Sequence, residues 1–167
     1  MTVTEFLRSS HLFKGLPSDH LQLLLPCCRE ETAEKEAVIF REGEPAKSLY
    51  VVEEGRIGLR MTRDRPDGSS TGPTTVASVG PGEAFGWSAI IEPRFFTLTA
   101  IAVEPSKLIL MEGTALREVL NLNRDIGYLV MVNVANLITE RLAETREAFV
   151  YDRSWVHYQQ RLSSDYR

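Results

Sequence analysis

Hydrophobic and polar positions change their period twice along this chain of 167 residues. Leu21, Leu24 and Leu25 repeat at helical spacing behind Ser18 and Asp19, which suit an N-cap, and the pattern predicts short helices over 4–14 and 18–28. From Glu31 the segments become short and strand-like: 37–40, 48–52 after a Glu42-Gly43-Glu44-Pro45 turn, and 56–61, where polar and apolar residues alternate as in a half-buried strand. Strands are also predicted over 74–79, 97–103 and 107–111, with a polar loop over 63–73 whose Ser69–Pro73 end suits a hairpin tip. After Gly113 the period is helical again. Thr114 is placed to cap a helix through Leu120, Asn121-Leu122-Asn123 breaks it, and a long helix follows over 124–150. Ile126, Val130, Val134, Leu137, Ile138, Leu142 and Phe149 form its apolar stripe, widened by Leu129 and Val132. Asn133, Asn136 and Glu140 are read as its polar side.

Glycine and proline sharpen this division. Eight of the eleven glycines lie between Gly43 and Gly86, and no proline follows Pro105. Regularly spaced short strands separated by turns suggest a sandwich, jelly roll or barrel. The long helix, about 40 Å at ~1.5 Å per residue, exceeds what a roll of this size covers. The remainder of its stripe calls for a second helix, most simply from another copy of the chain. The expected organisation is helices and roll over 1–112, C-terminal helices over 113–150, and a tail over 151–167 carrying Trp155, His157, Tyr158 and Tyr166.

Composition excludes more than it assigns. A formal net charge of −4 and a pI near 5.5 argue against a constitutive nucleic-acid binder. No apolar run reaches the roughly 20 residues of a membrane span, and Met1–Phe6 lacks a signal peptide's basic start and apolar core; a cytoplasmic protein is expected. Cys27 and Cys28 are adjacent, without a second Cys pair or a His at metal spacing. They read as two small apolar residues near a helix end. His11, His20 and His157 fall outside the roll, so the converging ligands of a metal-bearing roll are missing. No nucleophile elbow or Walker loop occurs. The chain is expected to be non-catalytic, and these residues assign no cofactor with certainty.

The order of helices, roll and long helix, together with two motifs, resembles the cyclic-nucleotide-binding domain of the catabolite activator and fumarate–nitrate regulator family over about residues 5–150. The first motif runs Phe40-Arg41-Glu42-Gly43-Glu44-Pro45-Ala46-Lys47-Ser48-Leu49-Tyr50-Val51-Val52-Glu53-Glu54-Gly55. The second is Val79-Gly80-Pro81-Gly82-Glu83-Ala84-Phe85-Gly86. The resemblance implies a mainly β fold with flanking helices, a double-stranded β-helix (jelly roll, cupin-like) followed by a dimerisation helix. It also implies a phosphate-binding cassette from Gly82 through Glu83, Ala84, Phe85, Gly86, Trp87 and Ser88, whose helical turn presents free backbone N–H groups to an anion.

In that family a Glu directly after the second glycine holds the ribose 2′-hydroxyl, and an Arg on the next strand, beside a Ser or Thr, pairs with the cyclic phosphate. Here those positions carry Trp87, Phe96 and Thr97. An Arg provides a planar fork of donors that Phe cannot replace, and Trp donates where Glu accepts, so the usual binding of cyclic AMP is not expected. Arg94, two residues before Phe96, and Arg60 on a neighbouring strand are candidate replacement cations. Arg141 and Thr145 match family positions that face the purine across the dimer axis. The sequence therefore reads as a dimeric regulatory or sensor module whose ligand, if any, is a cyclic nucleotide or another small anion. The alternatives are a ligand-free protein–protein interaction module and a binder of a non-standard ligand in an aromatic-lined pocket. A DNA-reading domain of the kind found in family regulators is not expected in the 17 residues after Val150.

Overall fold

The computed structural model describes residues 1–64 and 70–164, and the side chains of 1–62 and 72–147. Phe149, Trp155, His157 and Tyr158 have their side chains outside the described set, and Tyr166 lies outside it altogether.

Two short helices, α1 (Val3–Ser9) and α2 (Ser18–Leu24), precede the strands. Thr2 and Glu5 close a reciprocal capping box at the start of α1. The helix stops at Ser9 instead of continuing to residue 14; Leu12 and Phe13 are fully buried in the turns that follow. Pro17 occupies the cap position of α2, so Ser18 is its first helical residue and its hydroxyl accepts a bond from Arg8. A 3₁₀ turn, Leu25–Cys27, leads into the first strand.

Eight strands follow among the described residues: β1 (Cys28–Ala33), β2 (Val38–Phe40), β3 (Ser48–Glu54), β4 (Ile57–Asp64), β5 (Ser70–Val79), β6 (Ala84–Phe85), β7 (Thr99–Ala102) and β8 (Ser106–Glu112). They form two antiparallel four-stranded sheets, ordered β1-β8-β3-β6 and β2-β7-β4-β5. Residues of both sheets make the core, with Leu49, Val51, Ile57, Val79, Phe85, Leu108 and Ile109 fully buried; adjacent Leu108 and Ile109 point to opposite faces, so β8 is covered on both. β4 and β5 extend into the segment read as a polar loop. Cys28 opens an edge strand whose side chains are almost all exposed, which removed the alternation that would have marked it. Burial pushes the Cys28 thiol up to about 12, so it stays protonated and unreactive at neutral pH.

Two helices, α3 (Gly113–Leu122) and α4 (Arg124–Ser164), complete the fold. Glu112, not Thr114, caps α3: its carboxylate accepts from the Ala115 N–H at 2.6 Å, and these backbone bonds hold its pKa below the ordinary value. Its support of the helix is therefore present above the usual carboxylate range and is lost as pH falls through the lowered value. At Gly127 a Cβ would lie 2.5 Å from the Leu120 carbonyl oxygen, so only glycine lets α4 cross this close to α3.

With 41 residues, α4 is about 60 Å long at ~1.5 Å per residue. It carries two apolar stripes. Ile126, Val130, Val134 and Leu137 are buried against the chain's own roll and helices, and so are not the intersubunit contacts expected of them. Asn133, read as part of a polar side, is also buried: its amide donates to Leu12 O at 2.9 Å and Lys14 O at 3.2 Å, tying the N-terminal turns to α4. The second stripe lies one residue further on, about 100° around the helix. Its members Met131, Ile138 and Leu142 are 37%, 39% and 68% exposed. No helix among the described residues is long and apolar enough to cross a membrane.

Candidate functional site

The glycine-rich segment forms a tight cradle at the end of the roll. Gly82 takes φ +82°, a left-handed value, and its N–H donates to Val52 O at 2.9 Å. Its carbonyl accepts from the His11 N–H, also at 2.9 Å. Glu83 does not face a ligand: its carboxylate turns back and accepts from the Gly80 N–H at 2.6 Å, closing the turn. Ala84 and Phe85 form β6 and pair with Val51 and Tyr50. Gly86 is left-handed at φ +74°, and a Cβ there would meet Ser48 O and the rings of Tyr50 and Phe96 at 3.2–3.3 Å. The 3₁₀ turn Trp87–Ala89 follows. The backbone turns tightly at these two glycines, and the rings of Tyr50 and Phe96 crowd Gly86.

Phe96 is held there by its main chain. Its N–H donates to Glu44 O at 2.9 Å, and its carbonyl accepts from the Gly43 N–H at 2.8 Å. The Glu42–Pro45 turn thus clamps the residue from β2's end of the roll. Its ring is 6% exposed and stacks on Phe40 with centroids 3.6 Å apart and planes 10° from parallel. Phe40 in turn contacts Tyr50 and Phe85, which stack at 5.1 Å. Burial in this cluster raises the Tyr50 phenol above its ordinary pKa, keeping it neutral. The space that remains, between Phe40, Leu59, Trp87, Ser88, Phe96 and Thr97, is about 40 Å³. That is room for a few waters at most, against the ~300–1,000 Å³ of ordinary ligand pockets.

Of the candidate residues, Gly86, Trp87, Ser88, Phe96 and Thr97 come together around this cavity. Arg60 does not: Leu59, its neighbour on β4, lines the space instead. Arg94 does not swing in either. It sits at φ +58°, pairs with Glu92 at 2.7 Å and lines a different cavity beyond the turn. Arg141 and Thr145 are also outside the lining. The Arg141 guanidinium bonds Ser78 O on β5 and Glu144, its Nε is buried without a partner, and the Thr145 hydroxyl donates to Arg141 O at 2.8 Å. Phe40, Tyr50 and Leu59 were missed as site residues. Their one signal is that they fall on inward positions of strands read correctly.

This fold and cradle have counterparts. The cyclic nucleotide-binding domain family matches residues 30–123, more than half of the chain. The cyclic AMP receptor protein of Thermus thermophilus is 30% identical over 138 residues, 83% of this chain and 60% of that protein. Human cGMP-dependent protein kinase 2 is 30% identical over 99 residues, 59% of this chain and 12% of the kinase. Among solved structures, a candidate cyclic nucleotide-binding protein from Geobacter metallireducens superposes with a TM-score of 0.72 at 30% identity, covering 85% of this chain and 99% of that one. The chain belongs to the cyclic nucleotide-binding domain family, in the class of regulatory sensor domains. It spans only part of these curated relatives, about an eighth of the kinase and three fifths of the receptor.

Proposed function

We propose that the chain is a non-catalytic regulatory module that works as a dimer and whose cassette is filled by its own aromatic side chains. The observation that carries this reading is the Phe96–Phe40 stack, which occupies the place of the cyclic phosphate's cation partner and leaves about 40 Å³. A phosphate anion entering it would lose its hydration with no guanidinium to replace it, a strongly unfavourable exchange. Isothermal calorimetry with cyclic AMP and cyclic GMP is expected to give no saturable heat up to millimolar nucleotide. Micromolar binding that survives both Arg94→Ala and Arg124→Glu, substitutions outside the cassette, would refute the filled cassette.

Dimerisation is supported by the second stripe of α4. Ala135, Ile138, Leu142, Thr145 and Phe149 alternate at spacings of three and four, the a/d repeat of a two-stranded coiled coil. Ile138 and Leu142 are 39% and 68% exposed on the isolated chain. A second copy of α4 covers such a seam by two-fold symmetry.

A further inference from the structure

A second cavity lies outside the roll, on the far side of the turn that carries the cassette. It has a volume of about 570 Å³ and is bounded by Ile90, just after the Trp87–Ala89 turn, by the Arg94 loop, by α3 and by the start of α4. Three arginines line it, Arg94, Arg117 and Arg124, together with Ile90, Tyr128 and Met131. We propose that this groove, and not the cassette, is the ligand site of the module, and that it takes a nucleoside phosphate, with the phosphates on the guanidinium groups and the base against Tyr128.

The charge argues for the phosphates. In a chain of net charge −4, no carboxylate lines this groove. Glu92 pairs with Arg94 at its edge, but both side chains are largely solvated, 45% and 71% exposed, and such a pair is readily exchanged for a stronger anion. Counting Glu92 against the three arginines leaves a surplus of two positive charges, which favours an anionic ligand. Among the described residues, no salt bridge engages Arg117 or Arg124. Arg117 is nevertheless held in place, donating to the Ala89 carbonyl and to the Thr114 hydroxyl at 3.1 Å. Three of its five N–H donors remain for a ligand, and a fixed guanidinium loses little freedom on binding one.

Shape and lining argue for the nucleoside. The volume falls in the range of small-molecule pockets. The Tyr128 ring, 75% exposed at the mouth, offers a face for stacking, and Ile90 and Met131 supply apolar floor. The placement also suits signalling. The groove joins Ile90, just after the cassette turn, to both C-terminal helices, and its last lining residue, Met131, stands about one helical turn before Ala135, where the proposed dimer seam begins.

The probes are ADP, pyrophosphate and adenosine, titrated calorimetrically into the full chain at low salt. ADP is expected to saturate in the micromolar range, at least tenfold more tightly than pyrophosphate, with adenosine silent. Arg124→Glu removes one cation from an exposed first helical turn, where an acid is well tolerated, and is expected to weaken ADP at least tenfold with an unchanged melting temperature. Arg94→Gln is expected to weaken it as well, whereas Phe96→Ala leaves it unchanged. Absence of saturable ADP binding below 1 mM, binding indifferent to both arginine substitutions, or equal binding of adenosine would overturn the assignment. None of these results bears on the filled cassette, which is tested separately with cyclic nucleotides.

Discussion

Phe96→Ala is expected to lower the unfolding free energy by about 3 kcal/mol, at the lower end of the range for Phe→Ala in a core. For a chain of this size that corresponds to a fall of roughly 10 °C in melting temperature. The residue is 6% exposed, stacked on Phe40, and fixed through both backbone groups, so the surrounding rings have little freedom to collapse into the space it leaves. A ligand-contacting residue in an open pocket would behave differently, because its truncation costs binding and little stability. Phe95→Ala is the control: that ring is 50% exposed on the same segment and its loss is expected to cost less than about 1 kcal/mol. Chemical denaturation of the two variants side by side separates the outcomes, and equal small losses would mean that Phe96 is not structural.

Leu142→Glu is expected to convert the dimer to a monomer while leaving the fold intact. Leu142 is 68% exposed on the single chain, so the carboxylate costs the monomer almost nothing. In the dimer the two-fold axis brings two such carboxylates onto an apolar seam, and a loss of at least a hundredfold in association is expected from their desolvation and repulsion. Leu137→Glu is expected to fail in another way. Leu137 is 6% exposed and packs inside its own chain, so a charge there unfolds the roll–helix contact and lowers the melting temperature. Sedimentation and melting of both variants test the assignment of the two stripes. A folded monomer from Leu137→Glu and an unaltered dimer from Leu142→Glu would reverse it.

That reversal of roles marks where the sequence was legible and where it was not. A spacing of three and four identifies α4 as amphipathic, but Val134 and Ala135, or Leu137 and Ile138, satisfy it equally, and only the packing of the roll decides which stripe faces inward. The same limit applies to Asn133, a polar residue that reads as exposed until the carbonyls of Leu12 and Lys14 are seen beside it. β3, an apolar run between turns, and β4, with its alternating residues, were legible; β1, exposed along most of its length, and β6, two residues long, were not. At the site, the glycines and the Trp87 and Phe96 replacements could be read directly, because each is a residue type at a position. That Phe40 is the partner of Phe96 could not, since their stack joins segments 56 residues apart in sequence through two bonds to the Glu42–Pro45 turn. Nor could the basic groove, whose three arginines come from a loop and two helices.

The central claim, that aromatic packing fills the cassette, is tested most directly by a crystal structure of the protein grown with millimolar cyclic AMP. The account predicts that the Phe96 and Phe40 rings remain stacked with centroids about 3.6 Å apart and that no nucleotide lies between Trp87 and Thr97. Rings displaced from one another, with a cyclic nucleotide seated on the backbone of Gly86 to Ser88, would contradict it.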